Sequence, residues 1–288
     1  MKKFDYFQPE SLKQAYGLME KSKGRAHYIA GGTDIIVRIR QKAISPDALI
    51  SLRGISDLSG IHHNGGLSLG SMTRFRDVER AASITQNYPA LARAASLLAS
   101  PQIRNMATVG GNICNSAPCA DSVPPLMVMG ARLILEGPGG SREIPMDNFF
   151  KGPGESCMDT VEILREIRVP DIRRQGMRTG TAFLKSGRVA QDISIVSAAA
   201  LVGMEGKVCR KCRLAAGSVA PVPLRLRRTE SLLEGERISP DLLAHIAEMA
   251  AQEVTPITDI RSTEDYRRTV AGVLIRRAIE EAIGNQDR

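Results

Sequence analysis

The 288-residue sequence predicts an α+β fold, and three observations predict it. Strand-like and helix-like stretches are mixed along the chain and do not repeat as regular strand–helix–strand units. The strongest helical patterns gather at the C-terminus, after Ser239-Pro240-Asp241. Glycine and proline punctuation divides the chain into three regions, 1–52, 53–170 and 171–288.

In the first region, Pro9 to Glu20 reads as a helix with Leu12, Tyr16 and Met19 on one stripe. His27-Tyr28-Ile29-Ala30 reads as a strand that runs into Gly31-Gly32-Thr33-Asp34, followed by a helical stretch from Ile35 to Arg40. Ala48 to Leu52 reads as a second strand. In the second region, Gly65-Gly66 is a turn feeding a strand over Leu67 to Gly70. Pro89 to Leu98 is an apolar helix, with Leu91, Ala94, Ala95 and Leu98 on its stripe. Ser100 to Pro125 is rich in Gly, Asn, Ser and Pro and reads as a long irregular loop, a feature that is usually functional or disordered. Arg132 to Glu136 and Glu162 to Val169 alternate as strands do.

The third region begins with strand-like segments at Thr181–Lys185, Ser197–Val202 and Val208–Ala215. Ser239 is an N-cap before an N1 proline and an early acid, a strong helix start. Ser262 with Asp265 reads as a capping box. Tyr266, Val270, Val273, Leu274 and Ala278 form the stripe that follows, and Gly284 is placed as the C-cap.

Composition bounds the function. No apolar run is long enough to cross a membrane, and the start Met1-Lys2-Lys3-Phe4 lacks an apolar leader core. Five cysteines, an odd number without a leader, point to reduced thiols in the cytoplasm. The net charge of +8 comes from 39 basic and 31 acidic residues. The basic residues are dispersed, as at Arg173-Arg174, Arg225 with Arg227-Arg228, and Arg276-Arg277, and read as solvated faces. With no Trp, five Tyr and six Phe, the chain is poorly supplied with stacking platforms, so a nucleic-acid partner is not expected. Cys209-x-x-Cys212 has metal-ligand spacing but no second pair, and on a strand residues three apart face opposite sides. His27, His62, His63 and His245 form no ligand array. No metal is expected in this chain.

Two glycine loops carry the chemistry. Ala30-Gly31-Gly32-Thr33-Asp34 lies between a strand and a helix, where adjacent glycines permit backbone amides to converge on an anion. It has neither a third glycine at dinucleotide-fold spacing nor a Gly-Lys-Ser/Thr sequence, and taken alone it reads first as a tight strand–helix turn. The second loop runs Thr108-Val109-Gly110-Gly111-Asn112-Ile113-Cys114-Asn115-Ser116-Ala117-Pro118-Cys119-Ala120-Asp121. Gly110 and Gly111 again offer unobstructed backbone, Thr108 and Asn112 add polar groups, and Asp121 can accept from sugar or ribityl hydroxyls. Two such nests in one chain suit a pyrophosphate and point to a dinucleotide such as FAD.

With the Gln102-Ile103-Arg104-Asn105 that precedes it, the second loop resembles a motif of the FAD-binding medium subunit of molybdenum hydroxylases, the xanthine dehydrogenase and carbon monoxide dehydrogenase family. The Ala30–Asp34 loop resembles that family's first loop. Phe149 to Glu155, Glu162-Ile163-Leu164, Ala190 to Val196, Ala216 to Arg225 and Tyr266-Arg267-Arg268 match it in order, over essentially the whole chain. The resemblance implies the vanillyl-alcohol oxidase (PCMH) type of FAD-binding fold, as two α/β subdomains (1–52 and 53–170) and a C-terminal α+β domain (171–288). It implies that Ile29, Ala30, Gly31, Gly32, Thr33 and Asp34 wrap one side of the FAD diphosphate, and that Thr108, Gly110, Gly111 and Asn112 hold the other. Asp121 would bond the ribityl chain and Leu164 would pack on the ring. Lys185 falls near the position that approaches the isoalloxazine, an ordinary surface lysine being the other reading.

The resemblance also implies partners. A large subunit carries the molybdenum cofactor and hydroxylates the substrate; a small subunit carries two 2Fe–2S clusters; this chain passes electrons to an external acceptor such as NAD or a quinone, within a dimer of heterotrimers. The chain then needs no catalytic acid or base, since the protein's part is orientation and tuning. Its FAD is expected to be non-covalent. Cys114 and Cys119 lie in the flavin loop, either as small packing residues or near the cofactor or a partner cluster. A stand-alone flavin-dependent oxidoreductase of the same fold is the alternative; it needs a substrate-anchoring set beside the flavin, and none is identifiable.

Overall fold

A computed structural model describes residues 2–173 and 177–286; Arg174, one half of the basic pair at 173–174, lies outside the described residues. The fold is α+β and is organised by three main sheets. The first is parallel, with Ala48–Ser51 between Asp5–Phe7 and Ala26–Ile29. Its central strand is buried throughout, as a parallel strand covered on both faces must be. The helix Leu12–Lys21 turns Ala15, Tyr16 and Met19 onto this sheet's core. It starts three residues later than the expected Pro9, because Ser11 is the cap, its Oγ accepting from Gln14 N.

The second sheet is antiparallel, in the order Ile61–His63, Gly66–Gly70, Ile163–Pro170, Arg132–Gly137, Gly140–Pro145. Phe75–Arg80, Ala82–Asn87 and Pro89–Leu97 are helices whose apolar residues join its core. The stretch expected as a long loop from Ser100 to Pro125 is instead punctuated by three short helices, Pro101–Arg104, Val109–Cys114 and Val123–Val128. The residues that suggested irregularity include helix-starting groups. Ser100 Oγ accepts from Ile103 N ahead of an N1 proline, Thr108 Oγ1 accepts from Gly111 N, and Pro124 sits in the first turn of the third helix.

The third sheet is antiparallel: Arg178–Ser186, Val196–Glu205, Val208–Gly217, Leu224–Arg225. Its second strand reads as one apolar run because both faces are buried. Ala198, Ala200 and Val202 join the core under the C-terminal helices, while Ala199 and Leu201 join the core of the second sheet. The helix Pro240–Glu253 is capped by Ser239 as expected. Two expectations at the last helix, Glu264–Gly284, are corrected. Its N-cap is Thr263, whose Oγ1 accepts from Tyr266 N, because the Ser262 amide is drawn back to Asp259 Oδ1 at 3.2 Å. Gly284 is the last helical residue and Asn285 the C-cap. The buried stripe is shifted in part. Leu274 and Ala278 are buried as expected, but Tyr266 is exposed, and Ala271, Gly272, Ile275, Ile279 and Ala282 also face inward, where small residues allow close approach.

Cys209 and Cys212, expected on opposite faces, share one buried core. Lys211 pairs with Gly203 and Cys209 with Met204, so a bulge at Arg210 shifts the alternation by one residue. The two thiols hydrogen-bond each other, which holds Cys209 below the usual thiol range and pushes Cys212 well above it.

Candidate functional site

A cavity of about 500 Å³ opens where the three sheets meet. Both glycine loops line it, together with Asp121 and Leu164 from the second region and Lys185 from the third. Of the residues singled out from sequence, Ala30, Gly31, Gly32, Thr33, Asp34, Thr108, Gly110, Gly111, Asn112, Asp121, Leu164 and Lys185 line the cavity; Ile29, at the end of its strand, is half-buried and does not.

The glycines bring the two loops into backbone contact. A Cβ on Gly31 would overlap the Met106 carbonyl oxygen and lie 2.9 Å from Ala107 Cα. A Cβ on Gly111 would lie 2.9 Å from Thr108 Oγ1 and 3.4 Å from Ala30 Cβ. Gly32 has φ +79°, a conformation that glycine adopts freely. Gly110 packs on Ser71, where a Cβ would lie 2.7 Å from the carbonyl oxygen.

The loops differ in what they offer. The amides of Gly31, Gly32, Thr33 and Asp34 have no hydrogen-bond partner among the described residues. The amides of Gly110, Gly111 and Asn112 are engaged already, by Ser71 O at 2.8 Å, Thr108 Oγ1 at 3.1 Å and Thr108 O at 3.0 Å. The second loop is therefore not a nest of free amides. It offers a close-packed surface, the Thr108 hydroxyl hydrogen, and Asn112, whose Oδ1 is fixed by Ser122 Oγ at 2.8 Å.

Lys185 is no surface lysine. Its side chain is 6% exposed, and Nζ donates to Asp121 Oδ2 at 2.6 Å and to Leu97 O at 3.3 Å. Burial pushes the Asp121 carboxyl up, against the pull of the Lys185 cation. Asp121 Oδ1 is buried with no partner, and so is the Oγ of Ser71, another residue of the lining. An orphaned buried acceptor is costly unless something occupies the site and donates to it. Leu164 reaches the cavity through a bulge at Arg165, which re-aims the strand Ile163–Pro170.

Sequence reasoning missed Tyr28, Arg38, Leu98, Ala99, Met158 and Ile193 in the lining. Arg38, one turn beyond the first loop, carries an exposed cation at the rim and was legible from its spacing after Asp34. Cys114 and Cys119 also line the cavity, with Cys114 Sγ 3.7 Å from Met158 Sδ. Among the described residues no group of three His, Cys, Asp or Glu side chains could hold a metal ion, and no helix is long and apolar enough to cross a membrane.

Residues 2–172 match the family described as the FAD binding domain in molybdopterin dehydrogenase. The chain belongs to that family. Residues 181–282 match the C-terminal domain of the CO dehydrogenase flavoprotein. Along its length the chain is 32% identical to the carbon monoxide dehydrogenase medium chain of Hydrogenophaga pseudoflava, covering 97% of each. It is 31% identical to the xanthine dehydrogenase FAD-binding subunit of Escherichia coli O157:H7, covering 96% of this chain and 95% of that one. Its backbone superposes on carbon monoxide dehydrogenase from Hydrogenophaga pseudoflava with a TM-score of 0.95 at 30% identity, covering 99% and 98% of the two chains. Quinoline 2-oxidoreductase from Pseudomonas putida 86 gives 0.93 at 25% identity over both whole chains. As a member of the molybdopterin dehydrogenase FAD-binding family, the chain is an oxidoreductase subunit and FAD is its cofactor.

The residues present fit that cofactor. Four unpartnered amides on one wall suit a diphosphate, the orphaned Asp121 oxygen suits a hydroxyl donor, and Leu164 adds apolar surface.

Proposed function

We propose that FAD is held in this cavity without a covalent bond, and that the chain is the medium, electron-transferring subunit of a cytoplasmic molybdenum hydroxylase complex. A large subunit carries the molybdenum cofactor and a small subunit carries 2Fe–2S clusters, assembled as a dimer of heterotrimers. The complex takes electrons from substrate at the large subunit and delivers them, by way of this chain, to an external acceptor such as NAD or a quinone. The observation that carries this reading is the row of unpartnered amides from Gly31 to Asp34 facing the close-packed second loop.

When bound, FAD supplies the redox chemistry, since flavin accepts electrons singly and releases one or two. This chain's residues bind and orient it. Ala30 to Asp34 hold one side of the diphosphate, and Thr108, Gly110, Gly111 and Asn112 form the other wall. Asp121 accepts a ribityl hydroxyl at Oδ1, Leu164 packs on the ring, and Lys185 stands beside it, its charge balanced by Asp121. The division at 52/53 and 170/171 belongs to the same reading and is supported by one sheet in each of the first and third parts, with the five-stranded sheet between them.

Purification of the complex with its neighbouring gene products tests the proposal. One FAD per copy of this chain is expected; a complex without FAD, or a chain with no affinity for it, defeats the reading. Acid precipitation should release all yellow colour, and flavin kept on the precipitate refutes non-covalent binding. Replacing Gly111 by a bulky residue should abolish flavin occupancy.

A further inference from the structure

One wall of the cavity is a strained turn. Ala99 has φ +39°, left-handed backbone that a residue with a Cβ seldom adopts, and both Leu98 and Ala99 line the cavity. The three successive carbonyls of this turn are all held by cations. Leu97 O accepts from Lys185 Nζ at 3.3 Å. Leu98 O and Ala99 O both accept from Arg104 Nη1, each at 3.0 Å.

Arg104 is buried, and it is aimed from behind. Its Nε and Nη2 donate to the two carboxylate oxygens of Glu79, at 3.1 and 3.4 Å, and Arg76 Nη1 holds Glu79 Oε2 at 2.8 Å. A guanidinium is a rigid plane of donors, so fixing one edge on a carboxylate fixes where the other edge points. Glu79, Arg76 and Arg104 are not among the cavity-lining residues.

We infer that Arg104 is a positioning residue for the cofactor: with Glu79 it clamps the Leu98–Ala99 turn in its strained shape, so that this wall stands formed before the cofactor enters. The inference rests on the reading that FAD occupies the cavity. Strain of this kind persists only where the surroundings over-determine it, and a pre-formed wall is what makes it useful, because ordering the turn is then no part of binding. Removing the clamp lets Ala99 relax toward ordinary backbone and moves the wall.

The test uses the full chain with Arg104→Lys, Glu79→Gln and Ala99→Gly. FAD affinity is measured by titration, the flavin environment by visible circular dichroism, and folding by thermal melting. Lysine keeps the charge but lacks the planar fork, and R104K is expected to bind FAD about tenfold more weakly, with an altered flavin dichroism band. E79Q, which keeps the shape at residue 79 and leaves Arg104 in place, is expected to weaken binding in the same direction by less. In R104K/A99G the glycine should recover most of the loss seen in R104K, since glycine takes a positive φ without strain. Should R104K fail to fold, E79Q decides. Folded R104K or E79Q with unchanged affinity and dichroism, or a double variant with no recovery, overturns the inference. A wild-type chain that takes up no FAD overturns the functional reading and this inference with it.

Discussion

Removing the Lys185 charge while keeping its length, as Lys185→Met, is the perturbation that separates an ion pair from a bystander. The pair joins the third sheet to the end of the second loop across 64 residues, at 2.6 Å, with 6% and 7% of the two side chains exposed. At that burial little solvent screening remains, so the loss is that of a broken buried pair, roughly 3–5 kcal/mol. For a chain of this size that lowers the apparent Tm by roughly 6–20 °C. The loss should depend on pH with a defined sign. Without Lys185, Asp121 loses the partner that opposes burial, and its pKa rises further above its unfolded value. A raised carboxyl binds its proton more tightly in the folded state, so stability falls as pH rises through the folded pKa and the deficit shrinks in acid. K185M should therefore be closest to the wild type at the acid end of a stability–pH curve and furthest from it at the alkaline end, as read by melting of the cofactor-free chain. The double variant K185M/D121N removes both charges and should recover more than half of the deficit. A K185M variant within about 1 kcal/mol of the wild type, or two single losses that simply add, would refute the reasoning.

Gly31→Ala should lower both stability, by about 1–3 kcal/mol, and the flavin-to-protein absorbance ratio, because its Cβ meets backbone of the second loop that no side chain can yield; a variant with full flavin content would show that the loops are not locked together. Asp259 sets an acid limit: burial pushes its carboxyl up, but the amides of Arg261 and Ser262 and the Arg267 guanidinium outweigh this and hold it at about 2. Its stabilisation is present above the unfolded carboxyl pKa and is lost as pH falls from about 4 through about 2, so D259N should flatten the acid limb of a stability–pH curve. Cys209 and Cys212 should stay unlabelled by iodoacetamide at neutral pH in the native protein and react only after denaturation, checked by mass spectrometry of the peptides, because both are buried in one apolar core.

What the sequence disclosed and what it concealed divide along contact range. The glycine loops were readable because turn chemistry is local: Gly32 needs its φ of +79° whatever surrounds it. Ser239 was readable as a cap for the same reason. The short helices within 100–125 carried local signals too, Ser100-Pro101 and Thr108, but a composition of Gly, Asn and Pro masked them. The Asp121–Lys185 pair, the reach of Arg104 to Glu79, and the bulge that aims Leu164 are set by strand register and helix packing, and no window of sequence contains both partners. The bulge at Arg210 shows how one extra residue defeats an alternation rule that is otherwise sound: it alone turned two cysteines onto one face.

The cavity also explains why the third region is more than a lid. Its second strand sends alternate side chains into two cores, and Arg225 and Arg227 reach Asp147 of the second region at 3.5 and 2.6 Å. Those contacts seat the sheet; they do not close the cavity. Closure there falls to Lys185, which holds Asp121 and the Leu97 carbonyl together, while Arg104 holds the next two carbonyls from behind. A ligand that touches Asp121, the 98–99 turn and the first glycine loop thus contacts groups whose positions depend on all three sheets. By mass action such a ligand stabilises only the arrangement in which those groups coincide. Filling the cavity and fixing the seat of the C-terminal domain are then one equilibrium, and a substitution that loosens either end weakens both.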